Sequence, residues 1–390
     1  MRVAFVTPYL PCPANTGGRI RMHRLARALA ARGDVWLYAC AGLREAAAQR
    51  ERPELTLFAS THVRNSDLGA VPPWFTSRRV RKSGPARLAN DLRDDHARVR
   101  FDAIVVEHSY ALATASRVHG VPVLVDEHNI ESRYQAEYFA AEGRAGWRAR
   151  REVELLAAWE RVAWRGASRV TCVSERDAEV VRGVRAGPVD VIANGTALDE
   201  VSFIPASQRR GGDVLFVGLM SHAPNVTGAL FLAREVMPRV WRDEPAARLV
   251  LCGRTPTREL LALASPRIEV TGTVESVGPY LSRAAVYANA LFQGAGSSLK
   301  VPEALASGLP IVSTLVGVRG FPLEPGTHFD AAEDAEGFAR GIVRALRTRD
   351  QLDGRSERGR AVAEGYDWRT LGVRFASIVE SMVGDGPHGG

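Results

Sequence analysis

Between Phe292 and Ser313 the chain reads FQGAGSSLKVPEALASGLPIVS. Gly294 and Gly296 follow a strand-like run and leave the backbone unencumbered. Ser297 or Ser298 can cap the helix that follows, so Lys300 and Glu303 fall on neighbouring parts of its first turns. A helix N-terminus favours acidic residues. A lysine there is explained by a bound anion, held by unpaired amides and the helix dipole. The competing reading is a surface lysine paired with Glu303. Gly17 and Gly18 follow the first strand-like run and suit either a close approach to a ligand or a plain strand-to-helix turn. His128, in VLVDEHNIES, ends another such run, with Glu107, His108 and Glu127 as competitors for any role and Glu131 and Arg133 in the following loop.

Metal and thiol chemistry find no support in the spacing. Cys12, Cys40, Cys172 and Cys252 lie far apart without histidine at ligand distance, which argues against a zinc site or disulfide framework and for a reducing compartment. No Asp-x-Asp triplet occurs. All but Lys82 and Lys300 of the 51 basic side chains are arginine, so the net charge of +7 reflects composition, and no nucleic-acid partner is expected.

Positioning such residues requires strands whose carboxyl ends meet. The 390 residues, 46% hydrophobic, suit two domains. Short apolar runs alternate with amphipathic stretches, the pattern of α/β folds with parallel sheets covered on both faces. Strands are predicted over 2–7, 34–39, 102–106, 121–126, 169–173 and 189–192, with helices over 19–32 and 144–165. After the polar stretch PASQRRGG at 205–212 the alternation restarts. Strands are predicted there over 214–217, 248–252, 268–271, 285–290 and 310–313, and helices over 225–241, 299–307 and 368–382. Two doubly wound domains, 1–204 and 205–366, follow, with a disordered tail at 385–390. No apolar run reaches membrane-spanning length, and Pro8 interrupts the first one before a signal peptide could form, so a cytoplasmic protein is expected.

The string from Phe292 resembles the nucleotide-sugar site of retaining GT-B glycosyltransferases, glycosyltransferase family 4 in particular. The resemblance extends through FVTPYLPCPANTGGRIRMHRLARALAARG (5–33), VIANGT (191–196), DVLFVGLMSHAPN (213–225), RLVLCGRTP (248–256) and GYDWRTL (365–371). It implies two Rossmann-like domains with a cleft between them and a closing helix, 367–384, returning to the first. It assigns Glu303 to the nucleotide ribose, Lys300 to the diphosphate and His128 to the transferred sugar. Gly17, Gly18, Gly218, Arg254, Val274, Gly294, Gly296, Ser297 and Ser298 become further donor contacts, although a solvated arginine is an equal reading of Arg254.

Two departures stand out. Ala295 occupies the place of the family's upstream glutamate, eight positions before Glu303, and Leu219 follows Gly218 where the family carries arginine. The implied reaction moves a sugar from a UDP- or GDP-linked donor to an acceptor hydroxyl with retention, needing no metal or cofactor. A nucleotide-sugar epimerase of the same fold and a non-catalytic nucleotide-sugar-binding subunit are the alternatives. The acceptor is a lipid-linked saccharide, a sugar or a small-molecule hydroxyl. The basic and aromatic segment 71–82 (VPPWFTSRRVRK) is either a peripheral contact with the inner membrane face or an acceptor-pocket loop.

Overall fold

A computed structural model describes residues 1–42, 52–65, 76–293 and 300–384. The predicted tail, Trp74 and Phe75, and the loop carrying Gly294, Ala295, Gly296, Ser297 and Ser298 lie outside the described residues. The chain divides into two compact units, Met1–Ala193 with Arg369–Gly390, and Asn194–Trp368.

The first unit is built on a seven-stranded sheet of order β3-β2-β1-β4-β5-β6-β7. Its strands are β1 (Arg2–Thr7), β2 (Asp34–Ala41), β3 (Ser60–Asn65), β4 (Ala103–Glu107), β5 (Val123–Glu127), β6 (Arg169–Cys172) and β7 (Val189–Val191). Every pairing is parallel. The central strands β1 and β4 are buried along nearly their whole length, as expected of a sheet covered on both faces. Strand order reverses between β1 and β4, where parallel sheets open a crevice beyond their carboxyl ends.

The second unit repeats the scheme with six strands in the order β10-β9-β8-β11-β12-β13. They are β8 (Asp213–Val217), β9 (Arg248–Cys252), β10 (Ile268–Gly272), β11 (Val286–Asn289), β12 (Ile311–Ser313) and β13 (Asp330–Ala331). The predicted helix over 225–241 is one element in three parts, Ala223–Phe231, a π turn at Leu232–Val236, and Met237–Asp243. Pro238, which has no N–H to give the ladder, accounts for the shift of register. The helix Trp368–Gly384 begins at the end of the second unit and lies in the first from Arg369 onward. Arg32 there bonds Ser377 and Glu380, and Arg169 bonds Ser381 at 2.8 Å. A Cβ on Gly372 would stand 2.7 Å from that of Ala28, so the two helices meet where only glycine fits.

The stretch expected to link two domains is instead packed into the second. The unit boundary falls at Ala193, and Arg209, 2% exposed, binds carbonyls rather than water. Its guanidinium donates to Leu281 O at 2.8 Å, Ala284 O at 2.7 Å, Ile204 O at 3.2 Å and Ser307 O. Burial without an acidic partner lowers its pKa to about 10. Arg209→Ala strands these carbonyls and should cost about 3 kcal/mol in urea unfolding of the second unit. A loss below about 0.5 kcal/mol, the range of ordinary surface changes, would mean that water replaces the guanidinium.

Candidate active site

In the first unit, Thr16 caps the helix Gly17–Ala30, its side chain accepting from Arg19 N at 3.3 Å. Gly17 and Gly18 therefore open that helix rather than forming a loop before it. This starts the helix earlier than the predicted 19–32 because the cap lies upstream of the apolar pattern. A Cβ on Gly18 would stand 2.3 Å from the Tyr9 hydroxyl and 3.5 Å from His128 Nδ1, so glycine keeps that space clear.

One turn on, Arg21 is fully buried and forks onto Asp126, with Nε and Nη2 each 2.7 Å from a carboxylate oxygen. Thr171 Oγ1 adds a third bond to Asp126 at 2.6 Å, and Arg21 Nη1 reaches Ala193 O at 3.1 Å. His128 follows β5, its Nε2 2.6 Å from Glu107 Oε2 and 3.4 Å from Asp126 Oδ2. The register of β4 on β5 sets Glu107 beside Asp126, and this makes the constellation. Successive strand residues point to opposite faces, so Glu127 turns away and accepts from Trp164 Nε1 at 2.7 Å. Of the competitors for His128's place, Glu127 is thus structural and Glu107 is its partner.

The electrostatics follow from burial. Desolvation opposes ionisation of Asp126, but Arg21 overrides it and holds the acid far below its usual range. Burial alone would also lower His128, but bonds to Asp126 and Glu107 outweigh it and raise its pKa to about 9. His108 responds oppositely. Burial, then the adjacent His128 and Arg79 cations, push it well below the imidazole range. Their rings lie 4.0 Å apart, so one charged and one neutral imidazole stand side by side.

Glu107, Asp126 and His128 bring ligand atoms within 4.8 Å of one another, the one such group found among the described residues. They do not fit a metal, because Arg21 and Thr171 hold the Asp126 oxygens and Glu107 holds His128 Nε2.

In the second unit, Gly218 and Gly253 end β8 and β9 and let the two loops touch. A Cβ on Gly253 would fall 1.7 Å from Gly218 O, and one on Gly218 2.7 Å from Asn225 Nδ2. Packing thus requires both glycines. Gly218 N donates to Cys252 O and Met220 N to Arg254 O, each at 3.0 Å, fixing the backbone of Arg254. Leu219 projects into solvent at 39% exposure.

Lys300 is the first described residue of the helix Lys300–Ala306 after β11, and its Nζ lies 3.1 Å from Glu303 Oε2. The i,i+3 pair of the competing reading is therefore formed, with the two side chains 25% and 21% exposed. Both charges act on Cys252 at the end of β9, whose thiol is raised chiefly by burial while Lys300 pulls it down. That puts the pair near the carboxyl end of β9, which precedes Arg254. Val274 lines an open cavity of about 450 Å³ with Glu275, Ser276, Pro279, Tyr280 and Arg283.

Residues 16–200 match the Glycosyltransferase Family 4 model, and residues 211–348 the model described as Glycosyl transferases group 1. The chain is a glycosyltransferase of the GT-B type. Solved structures with this fold include sucrose-phosphate synthase from Thermosynechococcus elongatus, with a TM-score of 0.73 and 18% identity over 98% of this chain and 99% of that one. Anabaena Alr3699/HepE in complex with UDP scores 0.70 at 16% identity, covering 98% and 100%. WaaG, a glycosyltransferase involved in lipopolysaccharide biosynthesis, scores 0.60 at 16%, covering 97% and 99%. At these identities the likeness establishes the fold. Comparison with curated proteins finds no significant match.

Arg21 and Asp126 escaped the sequence reading. Nothing distinguishes Arg21 among so many arginines, whereas Asp126 in VLVDEHN was open to notice as an acid within an apolar strand. Glu107→Gln should lower the His128 pKa from about 9, read from imidazole resonances in a pH titration. His128 normally titrates at 6.5, so its stabilising charge is fully present below that pH and is lost as pH rises through about 9. The variant should lose part of that pH-dependent stability. An unchanged midpoint would leave Asp126 as the only group holding the proton.

Proposed function

We propose that this enzyme transfers a sugar from a UDP-linked donor to an acceptor hydroxyl with retention of anomeric configuration and without a metal. The observation that carries the reading is the Lys300–Glu303 pair on the helix after β11, whose charges reach Cys252 at the end of β9. An i,i+3 ion pair that remains partly open to solvent contributes little to stability, so its partners can be exchanged for ligand atoms at small cost. Lys300 would then bind the diphosphate, whose charge grows as the glycosidic bond breaks, while Glu303 accepts from the ribose hydroxyls. UDP is favoured over GDP because Alr3699/HepE was solved with UDP and with UDP-glucose. Arg254, held by its backbone beside Met220, is a second candidate cation.

In the reaction the acceptor oxygen bonds to the anomeric carbon on the face from which the phosphate oxygen departs. The acceptor proton passes to that oxygen, so no carboxylate nucleophile is needed. His128, carrying its proton at neutral pH, donates to a hydroxyl of the transferred sugar. The membrane reading of 71–82 rests on Arg78 and Lys82 among its described residues, since Arg79 turns inward to Glu131 and the Nε of Arg81 is buried.

A thermal-shift screen of UDP- and GDP-sugars, followed by NMR of the product's anomeric proton, tests the proposal. A product of inverted configuration would sink the retaining mechanism. Lys300→Ala should lower kcat by about 100-fold with the melting temperature unchanged. A variant as active as the parent would return the pair to a surface role. Donor binding without transfer across acceptors would favour the binding-subunit alternative, for which Leu219 and Ala295 speak.

A further inference from the structure

The carboxyl end of β4 gathers polar atoms that the fold leaves unused. Among the described residues, Thr7 Oγ1, Glu107 Oε1, Ser109 Oγ and both ring nitrogens of His108 are buried without a hydrogen-bond partner. Such atoms are few in native proteins, and each costs about 1–3 kcal/mol when left unmet. Their concentration around one residue is therefore informative. His108 is 4% exposed and also holds a positive-φ backbone, φ 65° and ψ 131°, outside the left-handed helical well, which a non-glycine residue adopts only under constraint. The constraint comes from His108 N donating to Asp126 O at 2.8 Å, and from its ring stacking 4.8 Å from Tyr110.

His108 Nδ1 stands 3.7 Å from Glu131 Oε2, too far for a direct hydrogen bond. Glu131, 1% exposed, is paired on its other oxygen with Arg79 at 2.5 Å. Arg79 also covers the Tyr110 ring at 4.9 Å and bonds Gln135 at 2.9 Å. Arg79 thus stands behind the carboxylate as an ion-pair partner without a hydrogen bond to Oε1, and the other oxygen lies toward the imidazole. We propose that His108 and Glu131 form the subsite for a hydroxyl of a sugar acceptor.

The chemistry of the gap selects that class. One oxygen atom can stand within about 2.8 Å of both Nδ1 and Oε2 when they are this far apart. With the imidazole proton on Nδ1, the nitrogen that faces the Glu131 carboxylate, that atom must accept from the N–H and donate to the carboxylate, which a hydroxyl does and an ether, carbonyl or ammonium does not. His108 Nε2 is then an acceptor for a second hydroxyl, as a polyol would offer. An anionic acceptor group is disfavoured, because Arg79 is already neutralised by Glu131. A bridging water would satisfy the same atoms, so the experiment must separate it from an acceptor.

The inference rests on the glycosyl-transfer reading, but it concerns the first unit alone. Its test uses the full chain and saturation-transfer NMR with methyl glycosides of glucose, galactose, mannose and N-acetylglucosamine, without nucleotide. UDP affinity is measured separately by calorimetry. His108→Gly removes the ring and relieves the backbone, and His108→Asn keeps a polar side chain that restores a donor and an acceptor. At least one glycoside should give signal with the parent, lose about tenfold or more in affinity with His108→Gly, and recover in part with His108→Asn. UDP affinity should be equal in all three. No glycoside signal with the parent, an undiminished one with His108→Gly, or a water that stays between His108 and Glu131 in crystals soaked with the glycosides would overturn the subsite. Failure of the parent to bind UDP would instead overturn the donor reading, whichever way the glycoside comparison falls.

Discussion

The buried fork of Arg21 on Asp126 is the interaction on which the first unit's chemistry depends. A carboxylate at the end of a fully covered strand would otherwise take up a proton, since desolvation of an unpaired charge costs several kcal/mol. With Arg21 in place, Asp126 stays anionic and so can share in holding the proton of His128. The same bonds pin the first helix to β5 and Thr171 of β6, so the geometry near His128 and the packing of three elements are set by one ion pair. A hydrophobic pair of similar volume could pack as tightly, but it would leave the imidazole without its charge partner.

The second unit uses the same topology with different means. Its strand ends carry no buried fork among the described residues. They are shaped by the approach of Gly253 to Gly218, where a side chain on Gly253 would meet the Gly218 carbonyl. Two of its charges, Lys300 and Glu303, are partly exposed and paired with each other. One unit therefore fixes its ionisable groups by burial, and the other leaves this pair partly open to solvent.

Most of the fold was legible because buried parallel strands are short apolar runs, and those runs stand out between helices. β3 did not, since STHVRN is polar and only Val63 within it is buried. β13, at two residues, is too short to leave a pattern. The stretch 205–212 was misread for an opposite reason, because a buried arginine that satisfies carbonyls looks in sequence like a solvated one. Lys300 was legible for the rarity of lysine in this chain, and Arg21 was hidden by the abundance of arginine. His108 and His128 could be ranked only by what surrounds them.

That ranking turns on the spacing of the two rings. Imidazolium charges 4.0 Å apart in a buried site would repel strongly, so the pair can hold one proton charge between them more readily than two. Glu107 and Asp126 face His128 and draw the charge there. His108 faces Glu131, but Arg79 has already taken up most of that carboxylate's field. The division gives neighbouring imidazoles different capacities. The charged one can only donate, while the neutral one donates and accepts, which is what a hydroxyl requires of its partner. A site meant for a phosphate would leave Arg79 unneutralised and His108 charged, and the placement of Glu131 does the reverse.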